Sequence, residues 1–120
     1  MLGKELLTRE VSFRVTLQPL TGGRFEKPSP LKGKIAQVMR HWPAGCNSLV
    51  DLAVGHDGRI WFLPNEVDTF VALNDATPVV SCNEPIDSSE EIWIIVKNGD
   101  ALNPHTITVT AVIEGIEVET

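Results

Sequence analysis

The sequence predicts an all-β domain, an antiparallel two-sheet sandwich of about eight strands. Apolar and polar residues alternate over several stretches, which places side chains on opposite faces of a strand. Glycine, proline, asparagine and aspartate separate these stretches at short intervals, as expected of an all-β protein. Helical periodicity is nearly absent. Only residues 2–10 could form a helical turn, and an isolated helix of that length is marginal.

The first and last strands have the clearest alternation. Residues 10–18 place Val11, Phe13 and their apolar neighbours on one face, and residues 106–113 repeat this pattern with threonines on the polar face. Six further strands are predicted between them, at residues 33–42, 48–54, 59–63, 69–73, 78–82 and 91–97. The most secure hairpin spans residues 48–63, because Asp57-Gly58 supplies the positive φ of a tight turn.

Eight strands suit either a jelly roll or an immunoglobulin-like sandwich. Trp61 lies between Cys46 and Cys82, as a core tryptophan does in immunoglobulin domains, but the chain has no tyrosine for the corner those domains share. The strand number therefore favours the jelly roll. The two cysteines are interpreted as buried thiols, and the sequence leaves open whether they pair.

Length and hydropathy predict one domain over residues 1–120. A chain of 120 residues, 42% of them hydrophobic, can bury one core without metals or disulfides. No apolar run approaches the eighteen residues of a membrane helix, and the N-terminal segment is too short and too mixed in charge for a signal peptide. We therefore expect no membrane partner. The localisation stays open, with a virion favoured.

Charge is distributed unevenly along the sequence. Residues 1–40 hold eight basic and three acidic side chains, whereas the remainder holds two basic and thirteen acidic ones. Opposed patches can steer self-association, unless folding mixes the charges. The basic stretch lacks interleaved aromatic residues and the net charge is −6, so no nucleic-acid partner is expected.

Two segments are predicted to lie outside the strands. Residues 19–34 contain three prolines and three glycines, which indicates a long basic loop or arm. Within it, Phe25 and Leu31 are interaction candidates, although they could instead fold back on the sandwich. Residues 115–120 are predicted to form a C-terminal tail, which could also add a strand to a neighbouring sheet.

Three further interaction candidates are large apolar residues. Trp93 and Ile95 lie in a segment that is apolar on both faces, which indicates a central covered strand or a subunit contact. Trp42 follows His41 in a turn rich in proline and glycine, and could shape a ligand shelf or pack over one end of the sandwich.

Residues 94–108 resemble the part of the cupredoxin family in which a strand ends in asparagine and a histidine after a proline binds copper. The resemblance places His105 in the ligand position. No cysteine, histidine or methionine follows it, so we interpret residues 98–105 as turn chemistry and His105 as a structural hydrogen-bonding residue. The close ligand spacing of a zinc site is also absent. We expect no metal, no cofactor and no catalytic residues.

The compact sandwich, the predicted arm and the two-faced apolar strand resemble small virion proteins that decorate phage capsids. This resemblance implies a non-enzymatic structural protein that forms homo-oligomers or binds a capsid or other protein assembly. A carbohydrate- or small-ligand-binding module, with Trp42, Trp61 or Trp93 as an apolar platform, is the first alternative. A cupredoxin-like metal-binding protein is the second.

Overall fold

A computed structural model of the chain describes residues 5–57, 60–61 and 70–118. The strands are β1 Leu7–Leu17, β2 Gly22–Pro28, β3 Lys32–His41, β4 Val50–His56, β5 Ile60–Trp61, β6 Val79–Ile86, β7 Glu91–Asn98 and β8 His105–Ile116. These ranges contain no helix, and so no helix that could span a membrane. The predicted all-β class is confirmed.

The eight strands form two four-stranded antiparallel sheets. The first sheet has the order β1-β8-β3-β6 and the second β2-β7-β4-β5. Pairing is nested, since β1 pairs with β8, β2 with β7, β3 with β6 and β4 with β5. Successive nested pairs lie in opposite sheets, so the chain is one long hairpin wrapped around the core. This is the jelly-roll arrangement of two sheets and eight strands, as predicted.

The core lies between the sheets and follows the period-two pattern. Val11 and Phe13 of β1 are buried, as are Ile107, Val109 and Ile113 of β8. Apolar residues of β3, β4 and β7 join the same continuous cluster. Full burial of one such side chain stabilises a fold by about 1.5–3 kcal/mol. The alternation that predicted the strands therefore also identified much of the core.

The long loop predicted at residues 19–34 is wrong. Residues Gly22–Pro28 form β2, an edge strand that pairs along its whole length with β7. A side chain at Gly22 would place a Cβ 2.8 Å from the Val96 carbonyl oxygen, so glycine allows this close pairing. Pro28 ends the strand, where its missing N–H costs no ladder hydrogen bond. Leu31 folds back and is buried.

Three other predictions are corrected by strand pairing. The tail predicted at residues 115–120 begins too early, because β8 extends to Ile116 and Gly115 lies between Leu7 of β1 and Gly33 of β3. The same pairing draws residues 7–10 of the predicted helical turn into β1. Residues 70–73 form no strand, and only Val71 makes an isolated bridge, to Leu52. The described residues again contain eight strands, because β2 takes the place of this one.

The predicted hairpin over residues 48–63 is confirmed where it is described. Gly55 pairs with Trp61 and His56 with Ile60, and Asp57 has a φ of 45°. Residues 58–59 and 62–69 lie outside the described residues, as do the first four and last two of the chain. This hairpin is the innermost of the nested pairs.

Gly33 of β3 and Gly115 of β8 are two opposed glycines that let these strands approach closely. They lie beside a bulge between Ile35 and Gln37. A Cβ added to Gly33 would lie 2.0 Å from the Glu114 carbonyl oxygen, and one added to Gly115 would lie 2.2 Å from the Lys32 carbonyl oxygen. The clash would involve main-chain atoms, which cannot rotate away. These positions therefore require glycine.

Gly33→Ala is expected to lower the free energy of unfolding by about 2–3 kcal/mol, because β3 and β8 must separate to admit the methyl group. Lys34→Ala on the same strand is the control, since it removes only a surface ion pair of about 1 kcal/mol or less. Urea unfolding followed by tryptophan fluorescence measures both. Equal losses for the two variants would contradict the close approach.

Candidate functional site

The open side of the sandwich lies where edge strand β1 of the first sheet adjoins edge strand β2 of the second. Between them is a cleft of about 360 Å³, here called the edge cleft. Its lining combines apolar and charged side chains from both strands: Phe13, Arg14, Val15, Arg24, Phe25, Glu26 and Lys27. The cleft therefore offers a mixed surface next to the free edges of two strands.

Phe25 brings an apolar ring to this cleft. It lies on β2 opposite Ile94 of β7 and is half-buried, packed against the core cluster. The predicted interaction role of Phe25 stays a prediction, but a rigid edge strand rather than a flexible arm presents it. Residues 24–27 contain a single apolar side chain, so alternation gave little signal for this strand, and the flanking glycines and prolines indicated a loop.

The backbone groups on the free side of β1 face no neighbouring strand. Lys27 Nζ, which reaches across from β2, donates to the Ser12 carbonyl oxygen. That carbonyl is therefore directed to the open edge rather than to β8. Because strand residues alternate in direction, Thr8, Glu10, Arg14 and Thr16 direct their backbone groups to the same side. We call these four residues and Ser12 the edge-facing residues.

Charged side chains at this edge differ in their pairing. Arg24 pairs with Glu26, with 3.5 Å between Arg24 Nη2 and Glu26 Oε2. The Arg24 guanidinium also stacks over the Trp93 ring, with 4.9 Å from its central carbon to the ring centroid. A hydrogen bond shared with Glu26 raises the pKa of Glu91. Among the residues that the structure describes, Glu10 and Arg14 have no ion-pair partner. Both are exposed.

Three predicted interaction residues are buried instead of exposed. Leu31, Trp42 and Trp93 are each no more than 1% exposed, so they cannot contact a partner directly. Trp42 donates its indole N–H to the Val50 carbonyl oxygen at 3.0 Å. Trp93 lies on the central strand β7 and is buried. A central covered strand was one of the two arrangements that the sequence indicated. Ile95 is half-buried on the outer face of that strand, and its interaction role stays a prediction.

A second concave region lies at one end of the sandwich. This groove has a volume of about 830 Å³ and is lined by Leu6, Lys32, Lys34, Asn83, Pro85, Ile86, Asp87, Glu90, Glu114, Ile116 and the two opposed glycines. Its charges have both signs, and Lys34 pairs with Glu114 at 3.7 Å. The groove therefore presents no surface of a single charge to a ligand.

Behind this groove, His56 joins the two sheets. Its ring is buried, with Nδ1 at 2.6 Å from Glu90 Oε1 and Nε2 at 2.7 Å from Glu84 Oε2. His56 ends β4 in the second sheet, and Glu84 lies on β6 in the first. Only an imidazolium donates at both nitrogens, so the geometry suits the charged ring. No spacing in the sequence indicated this cluster.

The predicted turn chemistry of residues 98–105 centres on two buried side chains. Asn98 Nδ2 donates to the carbonyl oxygens of Leu17, Gln18 and Asn103, and Asn98 Oδ1 accepts from the Asp100 amide at 2.9 Å. Asp100 Oδ2 lies 2.8 Å from His105 Nε2. His105 is therefore a structural hydrogen-bonding residue, as predicted, and this loop ties β7 to the end of β1.

The other histidine and cysteine side chains of the described residues do not form a metal site. In the described part of the chain, no three histidine, cysteine or acidic side chains are grouped as metal ligands would be. His41 Nδ1 instead lies 2.7 Å from Thr77 Oγ1. Cys46 and Cys82 are free thiols, and burial raises the pKa of both. The side chain of Trp61 lies outside the described residues.

Folding partly mixes the charges that are separated in sequence. Arg9 pairs with Glu117 at 3.6 Å, just as Lys34 pairs with Glu114, so bases from the first third of the chain meet acids from its end. The nested topology causes this, because it places β8 between β1 and β3. Sequence polarity therefore does not become a simple two-sided surface polarity.

No protein-family model and no curated protein matches the chain. Among solved structures, FLHE resembles it with a TM-score of 0.48 and 10% identity, covering 89% of this chain and 96% of that chain. The Yersinia pseudotuberculosis-derived mitogen gives a TM-score of 0.45 and 9% identity, covering 95% and 91%. Likenesses this distant carry no argument about function.

Asp100→Asn is expected to reduce the loss of stability in acid. Hydrogen bonds from His105 and from the Leu102 and Asn103 amides lower the pKa of Asp100 to about 2, below its ordinary 3.8. The folded carboxylate thus contributes stability that is present above pH 3.8 and is lost as the pH falls through about 2. Urea unfolding across this range measures it. Asp51→Asn, an exposed exchange on β4, should retain the wild-type pH dependence.

His56→Leu is expected to lower the free energy of unfolding at neutral pH by about 1–3 kcal/mol, because Glu84 and Glu90 lose a shared donor between the sheets. The control is His41→Leu, which removes a half-buried ring with one hydrogen bond. Thermal unfolding compares the two variants. A smaller loss for His56→Leu than for His41→Leu would show that His56 does not join the sheets.

Proposed function

We propose that this chain is a non-enzymatic structural protein that self-associates or attaches to a larger protein assembly, and that the β1 edge is its contact surface. One observation carries the proposal. β1 is an edge strand of eleven residues with a neighbour on one side only. Its other side exposes backbone donors and acceptors, which are a template for pairing with another chain.

Over the residues that the structure describes, the other edge strands are shorter or interrupted. β6 contains Pro85, β2 ends at Pro28, and β5 is described over two residues. Natural proteins use short strands and prolines to prevent edge pairing. β1 has neither device, although Lys27 covers its centre, so among the described edges it is the one best suited to a partner. The adjoining edge cleft, with the half-buried ring of Phe25, extends the available surface.

A capsid or another protein shell is the larger assembly we propose. Jelly-roll sandwiches build viral capsid shells, lectin domains and cupins, so the fold suits a shell without requiring one. The ligand-binding alternative has less support. Trp42 and Trp93, two of its three proposed platforms, are buried.

Ser12→Pro tests the proposal, because proline removes an edge-facing N–H and is tolerated on edge strands. In a native extract of the producing cell, wild-type protein should fractionate in particles larger than its own 13.2 kDa. Ser12→Pro should fractionate as a monomer. Ser12→Ala, which keeps the N–H, is the matched control and should behave as wild type.

Circular dichroism first establishes that Ser12→Pro folds. If it does not, Thr8→Pro, nearer the strand end, takes its place. Wild-type protein that runs only as a free monomer would refute the proposed function. Large particles that persist with the folded proline variant would refute the β1 edge as the contact surface.

A further inference from the structure

We infer that the partner of the β1 edge is a second copy of this chain, paired antiparallel about a two-fold axis at Ser12. The inference rests on the proposed function, because it names the occupant of the same edge. The first sheets of the two copies would join into one continuous sheet. Each copy presents the same strand to the other, as an isologous interface requires.

The hydrogen-bond directions of β1 are compatible with this register. Ser12 is the midpoint of Leu7–Leu17, so an axis there overlaps the whole strand. Ser12 then lies opposite Ser12 of the second copy, and Thr8 lies opposite Thr16. All of these are edge-facing residues, and such opposed pairs exchange both backbone hydrogen bonds. The five edge-facing residues of each copy form five opposed pairs, so the interface would contain about ten backbone hydrogen bonds.

Charge complementarity selects this register. Glu10 and Arg14 lie two residues on either side of Ser12, so each lies opposite its counter-charge in the second copy. Both are exposed, and neither has an ion-pair partner among the residues the structure describes. Two symmetric Glu10 to Arg14 pairs would form. Directly opposed charges on adjacent strands stabilise the pairing of a sheet.

Other registers lose this match. An axis at Glu10 or at Arg14 places two like charges opposite each other and shortens the overlap. An axis at Val11 or Phe13 places each of the two charged side chains opposite a hydroxyl side chain. The register centred on Ser12 is therefore the one in which overlap, backbone direction and charge agree.

The inner face of β1 also fits a second copy. In this register Phe13, which lines the edge cleft, lies opposite Val11 of the second copy. Both are core residues at the margin of the first sheet. The apolar layer would thus continue across the axis, which adds burial to the backbone hydrogen bonds.

Lys27 must move for the pairing to form. Its ammonium group donates to the Ser12 carbonyl oxygen and lies 5.4 Å from the centroid of the Phe13 ring, so it covers the centre of the edge in the monomer. Inserted lysines of this kind protect sheet edges.

Lys27→Met would leave the edge uncovered and should tighten the dimer severalfold.

Sedimentation equilibrium of the purified full chain tests the inference at about 0.15 M salt, where exposed charges act over roughly 8 Å. Wild type should dimerise in the micromolar range. Glu10→Arg alone and Arg14→Glu alone should each weaken the dimer at least about tenfold, because each creates two pairs of like charges. Asp51→Arg, which makes the same change of charge as Glu10→Arg at the exposed position of β4, should leave the dimer unchanged.

Two combinations make the register specific. The double variant Glu10→Arg with Arg14→Glu should restore the dimer, because it exchanges the two charges. An equimolar mixture of the two single variants should form a heterodimer that is tighter than the homodimer of either variant. Restoration fails if β1 pairs in another register or does not pair at all.

A purified chain that stays monomeric throughout the micromolar range would overturn the inference, as would dimers unaffected by either charge reversal. The proposed function would survive this result if large particles in the native extract still depended on an edge-facing N–H at Ser12. If Ser12→Pro changed neither the purified protein nor the extract, both the partner and the contact surface would be wrong.

Discussion

The fold depends on the pairing of strands from opposite ends of the chain. β8 is the central constraint, because it hydrogen-bonds to β1 on one side and to β3 on the other while four of its side chains enter the core. β7 has the same place in the second sheet, between β2 and β4. Both central strands come late in the chain, so neither sheet is complete until the last third of the sequence is in place.

This nesting determines which surfaces stay open. The outermost pair, β1 with β8, leaves β1 without a second neighbour, and the next pair leaves β2 exposed directly across from it. The edge cleft is therefore a consequence of topology rather than of a local motif. Side chains then decide how each edge behaves. Prolines limit β2 and β6, whereas β1 carries alternating hydroxyl and charged side chains without interruption.

Polar clusters hold the two ends of the sandwich. At one end, His56 joins the sheets through two carboxylates, and at the other Asn98 and Asp100 organise the turn before β8. All three side chains are buried, where an unsatisfied polar group would cost about 1–3 kcal/mol. His105, which the cupredoxin resemblance placed in a ligand position, makes a hydrogen bond within the second cluster, as His56 does within the first. Their chemistry supports the scaffold on which β1 is displayed.

Local pattern alone determined the fold class, most strand positions and the turn chemistry around His105. A period of two reports which face of a strand is apolar, and asparagine or aspartate beside glycine reports a turn, so neither needs knowledge of distant residues. β2 was not predicted, because its glycines and prolines are typical of a loop. It forms a strand because β7 supplies its hydrogen-bond partners.

Only the tertiary structure decided which apolar residues are available to a partner. Leu31, Trp42 and Trp93 are as apolar as Phe25, but burial depends on which strand or segment covers each of them. The cluster at His56 likewise needed residues some thirty positions apart to meet. The position of β1 at an open edge also follows from topology. The sequence indicates which face of a strand is apolar, but it does not indicate which strands lie beside it.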